Sequence, residues 1–485
     1  SDVAKEVSEM PKLTDDFYQA VNHEWLENNQ IPAEYTSWNN FTVLYDQNLQ
    51  DLKTILDELS ADSSTTDHNQ LLLHNLYQSG LKLAEDKPAI LLSLIESIKN
   101  VTSIDQLMKI VADHNIDSFF SISAQPDSKN SSLVLPHINQ SGLSLPDRDY
   151  YFKSENQEIV SQFHVHISNM FQLLGVDKEI ADSYAVQIFE LEKQFAKHHL
   201  SKVELRNPDL VYHKLNSTEL QALTPFLKWD NAVNYDFPEN ADFIVDNPDY
   251  LLEVSLMLNN IPLDIWRVYY QWRVLTDWAP YLSTAFDQED FDFFGRKLSG
   301  QLEQKPRWKR MIECVNSFLG EALSQLYVKK HFSERNKNEM LQLVNNLLCS
   351  TKDRILELKW MSEPTKLKAL EKLNAIGVKI GYPDKWIDYS RLVHNPKATF
   401  LEQILNCVAF KVARDRSKWY KPVDRSEWFM TAQTINAYYS PEFNEIVFPA
   451  AILQKPFFFA SDSDVVGKDG EDRTAENYGS IGAII

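Results

Sequence analysis

Few groups of residues in this sequence have both the types and the spacing that chemistry needs. "HEWLE" (His23–Glu27) begins like a helix that offers two imidazoles to a zinc ion. The position four residues after His23 is Glu27, so the two-imidazole face is not made. "HVH" (His164–His166) and "HH" (His198, His199) sit in helical patterns, where residues one or two apart point to different faces and do not chelate as a pair. "DSDVVGKDGEDR" (Asp462–Arg473) has the flavour of a calcium loop. With Asp462 and Asp464 at its first and third positions, Val466 takes the fifth and Arg473 the twelfth, where an oxygen ligand and a bidentate glutamate are needed. There is no G-x-S-x-G, phosphate loop or dinucleotide fingerprint. Spacing alone yields no complete catalytic centre.

The elements that would position such residues are mostly helical. "SEPTKLKALEKLNAIG" (Ser362–Gly377) places Ser362 as N-cap, Pro364 in the first turn, Leu367, Leu370 and Leu373 on one face, and Gly377 as a stop. Glu179–Leu200 and Asn336–Trp360 read the same way, and Ser60–Asn69 reads as a polar loop. The exception starts near Thr434: "TINAYYS", the turn residues "PEFN", then "EIVF" predict a β-hairpin. Ala460–Glu476 is acidic and poor in apolar residues, which predicts an exposed loop, and "NYGSIGAII" (Asn477–Ile485) reads as the first turns of a buried helix.

Composition narrows the class. The 485 residues allow two or three domains' worth of core, and only 12 are glycine, as suits a mainly helical chain. A net charge of −21 argues against a nucleic-acid groove or an anionic membrane surface. No apolar run approaches the roughly 18 residues of a membrane span, and "SDVAKEVSEM" lacks the features of a signal peptide. Three scattered cysteines, Cys314, Cys349 and Cys407, suit a reducing compartment. The expected location is cytoplasmic, with a mature secreted or cell-surface form left open.

"NAYYSPEFNEIVFPAAILQKPFF" from Asn436, followed by "NYGSIGAII", resembles the neprilysin family of zinc metallopeptidases, especially its bacterial endopeptidase O branch. The likeness runs along nearly the whole chain, through "DDFYQAVNHEWLENNQIP", "QSGLSLPDRDYY", "RWKRMIECVN" and "LKWMSEPTKLKALEKLNAIGVKIGYP". The resemblance implies a mainly α fold, with two interlaced helical lobes around a central cavity. Residues 1–432 would form the helical cap lobe and its connections, and residues 433–485 the start of a thermolysin-like catalytic lobe that opens with the small hairpin. The implied activity is zinc-dependent endopeptidase cleavage of oligopeptides on the amino side of hydrophobic residues.

The family carries over two sets of substrate-binding residues. Asn436 and Ala437 would hold the backbone of an extended peptide, because a strand edge pairs with it and the Asn amide both donates and accepts. Phe41, Ile452, Phe457, Ala483 and Ile484 would line the apolar pocket for the residue after the cut, although on burial statistics each is also an ordinary core residue. In the family, H-E-x-x-H follows the "NYGSIG" lead-in, so its first histidine falls two positions past Ile485. A glutamate ligand and a transition-state-stabilising histidine lie further on. No catalytic or metal-binding residue is therefore assigned within the 485 residues. The missing C-terminal catalytic segment is an expected partner, and a fragment or pseudoenzyme that at most binds peptides is the alternative.

Several positions depart from the family pattern. Ser37 and Tyr45 stand where members that favour a free C-terminal carboxylate place arginines, and neither supplies a guanidinium fork. Met311 replaces a cysteine that many animal members pair in a disulfide. Ala432 and Ala451 replace a common Pro and Gly beside the edge strand.

Overall fold

The periodic segments form the helices that the sequence predicts. The computed structural model describes residues 11–62, 64–82, 85–460 and 473–485. Helices Lys178–His198 and Glu334–Glu357 cover two of the expected segments. Helix Glu363–Asn374 is capped by the Ser362 side chain, which accepts from the Thr365 amide at 3.4 Å. It closes three residues earlier than expected, and Gly377 opens a strand instead. Its face also differs from the predicted one: Leu367 is 68% exposed while Lys366 is buried. The Lys366 ammonium is satisfied there by the Leu356 carbonyl and Glu363, both at 3.0 Å. The expected polar loop at Ser60–Asn69 is shorter, because helix Asn40–Ala61 runs into it and helix His68–Leu81 starts within it.

One sheet was not expected. Strands β1 (Phe120–Asp127) and β2 (Asn130–Gln140) form an antiparallel hairpin, with Phe120 opposite Gln140. Strands β3 (His213–Asn216) and β4 (Asp242–Val245) extend it in the order β1-β2-β4-β3, with β4 parallel to β2. The second sheet contains the predicted hairpin. Strand β5 (Gly377–Gly381) lies parallel to β7 (Glu445–Pro449), and β6 (Tyr438–Ser440) pairs antiparallel with β7, Tyr439 opposite Ile446. The order β5-β7-β6 leaves β6 at the edge.

Apolar burial divides into two cores. The first runs from Leu91 to Phe293 and is rich in rings, with Trp266, Tyr269, Tyr270 and Trp272 of helix Leu263–Trp278 all buried. The second gathers Leu44–Tyr77, Met311–Val344, Ile380, Phe400–Cys407 and Ala432–Ile481. The chain thus enters the second core, leaves for the first, returns, and touches the first again at Leu401 and Trp419 before ending in the second. Residues on both sides of the expected 432/433 division pack into the second core. Helix Phe400–Arg416 lies between the cores. At its end Asp415 accepts from the Ala124 amide of β1 at 2.9 Å, and Tyr420 and Lys421 bond Val134 of β2.

A break in helix Arg307–His331 ties the second core to its last strands. Leu319 leaves helical geometry (φ −125°, ψ 31°). The Gln433 side chain bonds the turns on either side of the break: Nε2 donates to Gly320 O and to Asn316 Oδ1, both at 2.8 Å, and Oε1 accepts from Ser324 Oγ at 2.6 Å. Asn48 Nδ2 donates to the Gln433 carbonyl at 2.9 Å. The Ala432 amide donates to Ser324 Oγ at 3.2 Å, a bond that the family's more usual proline has no N–H to make. The Ala451 amide in turn donates to the Ala432 carbonyl at 2.8 Å, so two departures from the family pattern bond each other.

Two measurements follow from these contacts. A Cβ at Gly320 would sit 2.5 Å from Thr431 Cγ2. Gly320→Ala is therefore expected to lower the unfolding free energy by about 1–3 kcal/mol, although alanine is intrinsically the better helix former. Adding Thr431→Ala should recover most of the loss, and urea midpoints of the single and double variants check this. Asp290 ends helix Thr284–Asp290, where burial and the Asp287 and Glu289 carboxylates push its carboxyl up to about 7. The folded state keeps that proton while the unfolded chain, with a carboxyl pKa near 4, gives it up. Stability from this group is complete below about pH 4 and falls as the pH rises to about 7. Asp290→Asn, which stays neutral, is expected to exceed the parent by about 1–3 kcal/mol at pH 8 and to match it near pH 4. Unfolding free energies across that range test it.

Candidate functional site

Strand β6 and the residues just before it form the first part of the site. Asn436 is exposed, and its Oδ1 accepts the Ala437 amide at 2.8 Å, which leaves Nδ2 pointing its donors elsewhere. Among the described residues the outer edge of β6 takes no strand partner, so it presents open backbone donors and acceptors. The strand is held from behind. Tyr438 Oη accepts the Phe429 amide at 3.0 Å, and the turn Pro441–Asn444 closes with Tyr439 Oη on Asn444 Oδ1 at 3.0 Å. Asn444 adopts the left-handed conformation (φ 48°) that this side chain tolerates.

The apolar residues expected to act together are only partly assembled. Phe41 is 40% exposed and its ring packs on Phe457 with centroids 4.6 Å apart. Ile452 is fully buried in the same core as Phe457. Ala483 and Ile484 are exposed and stand outside that core. The terminal segment is not one helix but two short pieces, Thr474–Gly479 and Ile481–Ile484, broken at Ser480 (φ −99°, ψ −87°). It is fastened to the Phe457–Phe459 strip. Asn477 exchanges both amide bonds with Phe459, at 2.7 and 3.0 Å, and Ser480 Oγ and the Ile481 amide donate to Phe457 O. Of the expected acidic loop, residues 461–472 lie outside the described residues, and Thr474–Glu476 is helical rather than loop.

A charged network that the sequence did not disclose surrounds the base of Phe41. Tyr45, one turn further on, donates to Glu313, which also holds Lys305 at 2.5 Å. Buried Lys309 pairs with Glu34 at 2.5 Å and with Asp46, which also accepts from Tyr35. The only signal for it is the mixed charge of "KPRWKRMIE" (Lys305–Glu313), whose partners are more than 250 residues away along the chain.

The cavity implied between the lobes is present. About 620 Å³ opens between the two cores, with Ile116 and Phe120 on one wall and Phe318, Phe410, Trp428 and Phe429 on the other. The described residues do not fit a zinc ion. No three His, Cys, Asp or Glu side chains among them converge on one point. His23 pairs with Glu27 at 3.4 Å, and His166 with Glu289 at 3.1 Å. His199 bonds the Ser141 carbonyl, burial holding its imidazole down at about 4. The calcium-like stretch falls almost wholly in the residues not described. Among the described residues no helix is long and apolar enough to cross a membrane.

Residues 13–383 and residues 436–485 both match Peptidase family M13. The chain belongs to this family, the neprilysin family of zinc metallopeptidases. It is 29% identical to rat endothelin-converting enzyme 1 over 492 aligned residues, which cover 97% of this chain and 63% of that protein. It therefore spans a little under two thirds of this curated relative's length. Mycobacterium tuberculosis zinc metalloprotease Zmp1, solved in complex with an inhibitor, is 31% identical, with a TM-score of 0.89 over 99% of this chain and 72% of the Zmp1 chain. PepO from Lactobacillus rhamnosis, at 23% identity, shares the fold with a TM-score of 0.83 over 93% of this chain and 72% of its own.

The Asn477 bonds generate a local prediction. Asn477→Ala leaves the Phe459 amide and carbonyl without their partner, at a cost of about 1–3 kcal/mol. Amide hydrogen exchange at Ile481 is expected to accelerate at least tenfold in this variant, with exchange in helix Leu263–Trp278 of the other core unchanged.

Proposed function

We propose that this chain provides the substrate-binding part of a zinc-dependent endopeptidase that acts on oligopeptides and cuts on the amino side of hydrophobic residues. Within the family we place it with the bacterial endopeptidase O branch. The open edge of β6, inside a segment that matches the family, carries the reading. An extended peptide adds to that edge as a further strand, main chain to main chain. Asn436 Nδ2 donates to a peptide carbonyl, while its Oδ1 stays on the Ala437 amide. The apolar side chain after the cut packs onto the exposed part of Phe41, over Phe457 and Ile452. Ala483 and Ile484, both exposed, would close that pocket from the other side.

We assign residues 433–485 to the start of the catalytic lobe, built on the second core rather than separate from it. Zinc, when bound in the family, activates the water that attacks the peptide. Among the described residues no three His, Cys, Asp or Glu side chains converge to hold it, and for these residues we assign peptide binding. Tyr45 is tied to Glu313 and Lys305 rather than free to receive a carboxylate. That supports internal peptide bonds, rather than free C-terminal carboxylates, as the preferred context.

The test is Asn436→Ala. In a form of the protein that cleaves peptides, losing one substrate hydrogen bond is expected to lower kcat/KM by about tenfold, with metal content and unfolding midpoint unchanged. If the midpoint falls while kcat/KM per folded molecule stays within about twofold of the parent, Asn436 is a structural residue and the assignment fails.

A further inference from the structure

A second cavity, of about 610 Å³, shares Glu321, Phe410 and Arg414 with the cavity between the cores. It is bounded by helix Phe400–Arg416, by residues 385–393 and by residues 424–427. Its helical side is bare. Ala409, Ala413 and Ser417 are spaced four apart on one face and put little bulk into it. Trp386 and Phe410 supply aromatic lining, and Val393 at its rim is 73% exposed. Spaces of this size, with apolar walls and few polar groups, are the usual form of a small-molecule site.

The polar group that decides what such a space takes is Glu321. The residue is only 7% exposed. Its Oε2 accepts from the Ile387 amide at 2.6 Å, and among the described residues nothing bonds Oε1. Arg414, a cation on the same wall, is held by Glu427 at 2.8 Å. Glu321 is thus a buried acid without a cation of its own, and burial pushes its carboxyl above the usual range. A carboxylate so placed gains most from a ligand that brings both positive charge and N–H donors. The aromatic lining favours the same ligand, because a ring face attracts a cation. We propose that this second cavity binds a primary ammonium carried on an aromatic or aliphatic body, with Glu321 taking the ammonium and Trp386 and Phe410 the body. A free amine and the N-terminus of a short peptide share that chemistry. The site does not rest on reading β6 as a peptide edge, since none of its residues comes from that strand.

The experiment measures binding of phenethylamine and of its neutral isostere 2-phenylethanol to residues 1–485, by isothermal titration calorimetry near neutral pH. The amine is expected to bind about tenfold to a hundredfold more tightly than the alcohol, the size of one charge-assisted hydrogen bond. Glu321→Gln keeps an oxygen for the Ile387 amide and should bring the ratio to within about threefold. Ala413→Phe, at an exposed helix position, leaves the buried acid intact and should weaken amine binding at least about tenfold by filling the space. It decides alone if Glu321→Gln fails to fold. Asn436→Ala should change neither affinity. Phe-Ala amide, compared with its N-acetyl form, separates the two sources. A preference for the free N-terminus that Ala413→Phe removes assigns peptide termini, and equal binding of the two forms assigns small amines. Equal binding of phenethylamine and the alcohol overturns the inference. So does a preference that survives Glu321→Gln, or amine binding that Asn436→Ala removes and Ala413→Phe does not. An amine dissociation constant above about 10 mM overturns it as well, and leaves the β6 reading standing.

Discussion

A helix that loses its hydrogen-bond register in a dry interior must find new partners for the groups it frees. In this protein the helix breaks at Leu319, and the Gln433 side chain bonds Asn316 before the break and Gly320 and Ser324 after it. An unpaired buried polar group costs about 1–3 kcal/mol, and this amide satisfies several at once. The consequence is directional. With Gln433 fixed by Asn316, Ser324 and Asn48, the chain three residues later has little freedom in where to put Asn436. Ala432 and Ala451 then lock the start of β6 to the end of β7. The lead-in to the edge strand is thus anchored on a helix some hundred residues earlier.

The same economy governs charge. The chain is strongly acidic overall, yet the ion pairs that matter structurally lie inside or at half depth. Lys309 with Glu34 and Asp46 binds the segment before helix Asn40–Ala61 to the helix that carries the break. Because removing one partner of such a pair strands the other in low dielectric, these contacts specify position more than they add stability. They set the base of Phe41 as Gln433 sets the base of Asn436. The two halves of the proposed peptide site thus both lean on one helix, Arg307–His331, through two unrelated chemistries.

Legibility in the sequence followed the range of the interactions. Helices with strong periodicity and local caps, such as Lys178–His198 and the Ser362-capped Glu363–Asn374, were readable because their determinants lie within a few residues. The β6–β7 hairpin was readable from its turn. The sheet of β1 to β4 was not. Its two short strands have four residues each, and β4 joins β2 across more than a hundred residues. Asn436, Ala437, Phe41, Ile452, Phe457, Ala483 and Ile484 were assigned through family resemblance alone. The Tyr45–Glu313 network was not foreseen, because a tyrosine or lysine held by a partner more than 250 positions away looks like any other in a string. Ala483 and Ile484 read as part of a buried helix and are exposed, because an apolar run carries no record of what covers it.

The contact between Asn48 and Gln433 spans 385 positions. A ribosome adding about 5–20 residues per second needs roughly twenty to eighty seconds to deliver the second partner after the first has emerged. Over that interval helix Asn40–Ala61 has only part of its apolar face covered, while most of the ring-rich first core, between Leu91 and Phe293, has emerged, Leu401 and Trp419 following later. Synthesis from the N-terminus thus builds the middle of the molecule first and leaves its beginning waiting for its end.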